Sequence, residues 1–283
     1  MYVACKPDTA ADQQRTFNDA RRQSLIVDRP TRRYRILYPR LLARSNSSIK
    51  SPRSMNYKLL LAASPFASSA LYLTYRHYSL SRRVQCQTTQ HLQDETLPVP
   101  MSVQHSPESY ILHHECARRS VPSAFLGESP IPEILKLFLR HSLATFSKYP
   151  PAWGIWYMVK NEQDRRTFNS AYIRSLDFTP GDRVCGVYVV RSRDTARMVL
   201  ALDAPNSYAG PRVEGMLVVE VEEEEGCTTF MNHTVMWRKK GEGSAGVLES
   251  AGGRWMHALM VRGLVENGVL QSVKELGVRK KGV

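Results

Sequence analysis

The fold is decided by residues 182–239, which read DRVCGVYVVRSRDTARMVLALDAPNSYAGPRVEGMLVVEVEEEEGCTTFMNHTVMWRK. β-Branched and aromatic residues dominate this stretch, and short runs rich in Asp, Asn, Gly or Glu interrupt it. Apolar segments joined by short turns are typical of an antiparallel meander. The pattern predicts four successive strands: Arg183–Arg191, Arg197–Asp203, Val213–Glu223 and Thr228–Lys239.

One amphipathic helix follows the meander, at residues 252–264, which read GGRWMHALMVRGL. Its large apolar side chains recur at three- and four-residue spacing, which predicts one buried face. Asn267-Gly268 is a typical end signal, so the helix is predicted to stop there.

Two further helices and a short strand precede the meander. Ser129-Pro130 is a start signal for a helix that ends before Pro150. A second helix is predicted over Glu162–Leu176, and the apolar run Tyr110–His114 predicts a first strand. The order of elements predicts an α+β domain over residues 108–276, in which the meander packs on the long C-terminal helix.

The basic charge of the chain is concentrated at its N-terminus. The net charge is +13, and residues 1–58 carry thirteen basic and four acidic side chains, a net +9. Residues 161–283 carry seventeen basic and sixteen acidic side chains, a net +1. Because a basic face on the folded part is what nucleic-acid binding requires, no nucleic-acid partner is expected.

A membrane anchor is predicted within residues 55–83. Residues 59–75 read LLLAASPFASSALYLTY and carry no charge, and a spanning helix needs about 20 residues, with a range of roughly 17–25. A cleaved signal peptide or a buried helix is the alternative. Residues 1–54 are predicted to be a disordered basic tail, unless translation starts at Met55, which would place the apolar segment at the chain start, where targeting segments occur.

The remaining segments complete the predicted organisation. Residues 84–107 lack periodicity and are interpreted as a linker, and residues 277–283 as a basic tail. The anchor predicts a membrane-associated location, endoplasmic reticulum or mitochondrial, with the cytoplasm as the alternative.

No metal or cofactor site is predicted. The five cysteines, at positions 5, 86, 116, 185 and 227, form no ligand spacing. His113, His114 and Cys116 are close in sequence, but adjacent strand residues point to opposite faces, so a surface and edge histidine pair is expected. Nucleotide-binding, serine-hydrolase and zinc-protease motifs are absent from the sequence.

The order of elements resembles the helix-grip arrangement of the START-related and polyketide-cyclase (SRPBCC) superfamily. The resemblance covers about residues 108–276 and includes the phrases FTPGDRVCGVYVV, VEGMLVVEVE and TTFMNHTVMWR, which also look like fungal proteins of unassigned role. It implies a curved sheet around the last helix, an apolar cavity between them and no bound cofactor. Only five strands are counted, where that fold has six or seven, so two strands lie within residues 84–130 or the sheet is incomplete.

Three residues are candidate catalytic groups. His233 could act as a general acid or base if it reaches the cavity. Glu214 could meet Arg238 across the ladder and anchor a substrate carboxylate or enol. The alternatives are a core histidine and a cross-strand ion pair.

Aromatic residues and one further histidine are candidate ligand contacts. Core packing is the alternative for the aromatic residues, and a helix-surface position for His257. The predicted set is Trp153, Trp156, Tyr157, Tyr188, Trp237, Trp255 and His257.

Three functions remain open from the sequence. The first is a membrane-associated binding domain for an apolar small molecule, such as a lipid, polyketide or terpenoid, in a tunnel lined by Val187, Val189, Val219 and Leu259. The second is a cofactor-free isomerase or cyclase of fungal secondary metabolism. The third is a structural or interaction protein without a cavity.

Overall fold

The computed structural model describes residues 57–92, 94, 96–242 and 246–279. Within these residues the strands form one antiparallel sheet in the order β1-β2-β7-β6-β5-β4-β3. The strands are β1 Gln85–Thr89, β2 Tyr110–Pro122, β3 Arg183–Val184, β4 Tyr188–Arg193, β5 Arg197–Leu202, β6 Glu214–Glu224 and β7 Cys227–Lys239. The predicted tail over residues 1–54 and the last four residues lie outside the described residues.

Helices flank the sheet, which confirms the α+β class and the antiparallel sheet with a C-terminal helix. They are α1 Tyr57–Ser81, α2 Met101–His105, α3 Ile131–Phe146, α4 Pro150–Met158, α5 Glu162–Arg166, α6 Ser170–Ser175 and α7 Ala251–Arg279. The segment predicted as one helix, Glu162–Leu176, is divided into α5 and α6, because Asn169 caps a new helix by accepting a hydrogen bond from the Ala171 amide.

Tight turns set the register of the meander. Glu224 pairs with Cys227, so the β6–β7 hairpin turns on Glu225 and Gly226 alone. Both residues have positive φ, 51° and 77°, as a two-residue type I′ turn requires. The first three of the four consecutive glutamates, residues 222–224, therefore end β6, and Glu225 begins the turn.

The sheet has seven strands where five were counted from the sequence. One addition is β1, which pairs with β2 along Gln85–Thr89 and lies in the segment interpreted as a linker. The other arises because the first strand of the meander bends at Cys185-Gly186, both at positive φ, and divides into β3 and β4.

Each face of the sheet is covered by a different layer. The inner face packs against α3 and α7 in the larger apolar core, which includes Ala117, Val219 and Phe230. The outer face is covered by residues 96–105, here called the strap. Three apolar side chains of the strap are buried against the outer face: Leu97, Val99 and Val103.

Helix α1 contains the segment predicted to be a membrane anchor. Among the described residues no helix is both long enough and apolar enough to cross a bilayer, so the prediction of a spanning helix over residues 59–75 is wrong. Serines, a proline and Arg76 lower the hydropathy of this stretch. The predicted locations are not tested by the structure and stay predictions.

The C-terminal end of α1 packs on α7. The His77 and Trp255 rings lie 5.8 Å apart, and Leu80 is buried. Arg83 donates to the Glu266 carboxylate at 3.2 Å, and Arg119 from β2 pairs with the same carboxylate. These contacts join α1, β2 and the middle of α7.

Helix α7 continues well past Asn267-Gly268, so the predicted C-terminal cap is wrong. Gly268 instead lies where α3 approaches most closely: a Cβ at this position would meet the Phe138 ring at 2.7 Å and overlap the Ser142 hydroxyl. Gly277, on the same helix, has no neighbouring atom within 4 Å of such a Cβ. The first glycine is needed for packing, and the second is not.

We expect Gly268→Ala to lower the free energy of unfolding by about 1–3 kcal/mol, because the added methyl group overpacks the α3–α7 contact. The matched variant Gly277→Ala should raise it by roughly 0.5–1 kcal/mol, since alanine favours the helix and meets nothing. Urea denaturation followed by circular dichroism measures both changes. Equal effects of the two substitutions would contradict the close α3–α7 approach.

Candidate functional site

Three polar side chains converge beneath α7, on the inner face of the sheet. His113 and Glu115 are two residues apart on β2 and therefore point to the same face. His257 comes from the second turn of α7, and its Nδ1 lies 3.1 Å from Glu115 Oε1. The His113 Nε2 atom lies 3.9 Å from Glu115 Oε2. Glu115 is fully buried and His113 is 8% exposed.

Several buried polar atoms at this place have no hydrogen-bond partner. They include His113 Nε2, Glu115 Oε2 and Asn232 Oδ1. Asn232 is 4% exposed and belongs to β7, which pairs with β2. Because folded proteins satisfy nearly all buried polar groups, the three unsatisfied atoms on one face make it the candidate site of the described residues.

A small cavity adjoins this cluster between the sheet and α7. Its volume is about 30 Å³, enough for about one water molecule. Thr234 lies opposite Glu115 in the β2–β7 ladder and also lines the cavity, so the cavity and the cluster are continuous. The polar lining is Ser142, Asn232, Thr234 and His257, and the other lining residues include Phe138, Phe146, Tyr188, Leu217 and Met260.

Burial shapes the protonation of this region. Burial lowers the pKa of His113 below its ordinary value, against the opposing attraction of Glu115. Burial also raises the pKa of the Tyr188 hydroxyl. Cys86 on β1 has its pKa raised to about 12, first by burial and then by the charge of Glu115. The site therefore favours a neutral His113 imidazole, a neutral phenol and an inert thiol.

The first candidate catalytic residue, His233, lies on the opposite face. Its Nδ1 is 3.2 Å from His114 Nε2, its Nε2 is 3.8 Å from Cys116 Sγ, and the two imidazole rings are stacked. The alternation along β7 places Asn232 and Thr234 towards α7 and His233 towards the strap, so His233 does not reach the cavity.

The structure does not bring Glu214 and Arg238 together. Glu214 accepts a hydrogen bond from the Trp237 indole at 2.8 Å, and Arg238 pairs with Glu249 at 2.9 Å. His233 and Trp237 are four residues apart on one strand, which is about 13 Å. His233, Glu214 and Arg238 therefore form no common site.

The predicted ligand contacts are divided among several surfaces. Tyr188 lines the inner cavity and Trp237 packs beneath the strap. Trp255 is 39% exposed. On α4 the side chains of Trp153, Trp156 and Tyr157 are exposed, so neither a pocket wall nor core packing describes them. Of the predicted set, only Tyr188 and His257 line the cavity.

The sequence analysis missed His113, Glu115 and Asn232 as site residues. The rule that adjacent strand residues face opposite sides separates His113 from His114, and the structure confirms this separation. Both histidines are buried, however, because β1 covers the edge where a surface and edge pair was expected. The same rule places His113 and Glu115, two residues apart, on one face of the strand. This spacing was the feature of the sequence from which the site could have been predicted.

Comparisons with known proteins give a distant structural likeness. No family model matches the chain, and no curated protein matches it in sequence. Among solved structures, CalU16 from Micromonospora echinospora matches 69% of this chain and 94% of its own, with 12% identity and a TM-score of 0.29. A TM-score this low carries no conclusion, so the fold description rests on the sheet order and the placement of α7.

The outer histidine pair predicts a loss of stability in acid. Burial, and then the nearby charge of His233, lowers the pKa of His114 to about 4, and burial lowers the pKa of His233. Between about pH 6.5 and pH 4 the unfolded chain binds more protons at these sites, so stability decreases as pH falls through that window.

We expect His233→Gln to flatten the pH dependence of the unfolding free energy across this window, measured by urea denaturation at a series of pH values. His105→Gln, at an exposed position in the strap, is the control and should leave the slope unchanged. An unchanged slope in His233→Gln would contradict the buried, neutral pair.

Proposed function

We propose that the protein binds a small, mainly apolar molecule between the inner face of the sheet and α7. The single observation that carries this proposal is the polar end of an otherwise apolar cavity, where Asn232 Oδ1 and the neighbouring Glu115 Oε2 are buried without partners. A binding site has this composition: apolar walls for the body of the ligand and a few polar groups that orient it.

The cavity must widen to admit such a molecule, because ligand pockets usually measure about 300–1,000 Å³. The first turns of α7 supply a movable wall. Residues 251–258 are exposed or half-buried, and the first fully buried side chain of the helix is Leu259. Met260 lines the cavity, and its flexible thioether side chain repacks at low cost.

Two contacts hold these turns in the closed position. One is the Glu115–His257 hydrogen bond of the cluster. The other is the Arg238–Glu249 ion pair, which fixes the turn before α7 to β7 and is half-buried. A ligand whose polar end hydrogen-bonds Glu115 in place of His257 would bind better when the first turns of α7 have moved away. It would therefore favour that open form.

A purely structural role accounts less well for the cluster. A core selected only for packing gains nothing from an unpaired buried carboxylate oxygen and amide oxygen, which together cost several kcal/mol. A larger groove of about 540 Å³ is lined by α3, α6 and α7, but its Arg140 and His141 already pair with Asp177 and Glu275.

Cofactor-free isomerisation or cyclisation is a second candidate function. The observation that favours it is the Glu115–His257 pair itself, a carboxylate in contact with an imidazole beside the cavity. Such a pair can move a proton to or from a bound carbonyl compound. In this alternative, Glu115 and His257 take the roles that the sequence analysis assigned to Glu214 and His233.

Filling the cavity tests the binding proposal. Thr234→Phe places a ring in the cavity, whereas Thr229→Phe places the same ring on the outer face of the same strand. With anilinonaphthalene sulfonate as an amphiphilic fluorescent probe, we expect saturable binding to the full chain that Thr234→Phe weakens roughly tenfold or more. Thr229→Phe should bind like the wild type.

Native mass spectrometry of the purified chain supplies a second readout, in which a retained small molecule adds mass to the wild type but not to Thr234→Phe. If the dye binds both variants equally and no mass is retained, the proposed cavity site is wrong.

A further inference from the structure

His113, Glu115 and His257 offer the ligand atoms of a metal site. Two imidazole nitrogens and one carboxylate oxygen lie within 4.8 Å of one another, on β2 and α7. We propose that these three residues bind a divalent first-row transition-metal ion, of the kind that zinc or iron(II) represents. Two histidines and one carboxylate with open positions are a donor set that suits such ions.

The distances require only small movements. A bound ion lies about 2.0–2.2 Å from each nitrogen or oxygen, which leaves the ligand atoms roughly 3.3 Å apart. In the structure His257 Nδ1 and Glu115 Oε1 are 3.1 Å apart, and His113 Nε2 and Glu115 Oε2 are 3.9 Å apart. All three ligand atoms lie within 4.8 Å of one another, so shifts of roughly 1.5 Å or less would bring them to this separation.

Burial and missing partners support the site independently of these distances. Glu115 is fully buried, and both its Oε2 and the His113 Nε2 lack a hydrogen bond. A buried carboxylate without a full set of partners is costly, and a divalent cation would neutralise it. The same ion would give His113 Nε2 a partner.

The surroundings fix the donors and leave a position open. β2 pairs with β7 at both His113 and Glu115, and with β1 at Glu115, so both residues are held within the sheet. The side chain of His257 is 18% exposed, which gives an ion a path from solvent. Thr234, opposite Glu115, lines the cavity, where a water molecule or the polar end of a ligand would complete the coordination.

The outer histidine pair provides a matched control. His114 and His233 are also buried, but their ring nitrogens face each other at 3.2 Å and the pair lies on the other face of the sheet. Replacing His233 therefore removes a buried histidine without touching the proposed ligands.

The test is metal binding by the full chain after treatment with a chelator and removal of that chelator. Titration with zinc chloride in a calorimeter should show one tight site per chain, and cobalt(II) should give the visible absorption of a protein-bound ion. We expect His257→Gln and Glu115→Gln each to weaken zinc binding by roughly 100-fold and to abolish the cobalt spectrum, whereas His233→Gln should bind like the wild type.

Either of two outcomes would overturn the proposal. In the first, the wild-type chain shows no stoichiometric zinc site in the titration. In the second, His257→Gln binds zinc with the same affinity as the wild type. Circular dichroism checks that each variant is folded, and the more exposed His257 serves as the primary position if Glu115→Gln fails to fold. The calorimetric titration measures zinc binding, whereas the dye measures binding in the cavity. Either can fail while the other persists, so the metal site and the proposed cavity ligand are tested separately.

Discussion

Helix α7 lies against the inner face of the sheet, and the burial of that face is the contact on which the rest of the structure depends. Val261, Leu264, Val265 and Val269 belong to the same core as the inner side chains of β2, β6 and β7. Helix α3 packs beside α7 on the same face of the sheet, and Gly268 admits its side chains. The polar cluster is placed where this apolar contact gives way to the exposed first turns of the helix.

The second constraint is that both faces of the sheet are covered. The strap buries the outer face, so the buried side chains of the central strands alternate between the inner core and the outer core. On β7 this alternation separates His233 from Asn232, although the two are neighbours in sequence. His233 therefore faces away from the cluster that His113, Glu115 and His257 form.

The meander and the final helix could be predicted because their residues carry strong local patterns. The strand Thr228–Lys239 and the hairpin at Glu225-Gly226 are examples. β1, which reads QCQTT, could not be predicted, since an edge strand with one covered face needs few apolar residues. The strap was missed because the spacings of Leu97, Val99 and Val103, two residues and then four, follow neither period for more than one step.

The site was less predictable than the fold, for a physical reason. The partnership of His113 with Glu115 follows from strand geometry, but the approach of His257 depends on how α7 crosses the sheet, which no local pattern encodes. Gly268 is a second example of a feature that depends on tertiary packing. Asn267-Gly268 has the local sequence of a helix end, but α7 continues through it, and Gly268 lies where α3 packs closely against α7.

We infer that the space beneath the first turns of α7 holds an ion, a water molecule or a ligand, which pairs with the buried polar atoms there. A high-resolution crystal structure of the protein, purified without chelator, tests this directly. We expect electron density for an ion, an ordered water molecule or a ligand within bonding distance of Glu115 Oε2 and His113 Nε2. Density that shows these atoms paired with one another, around a solid core, would contradict it.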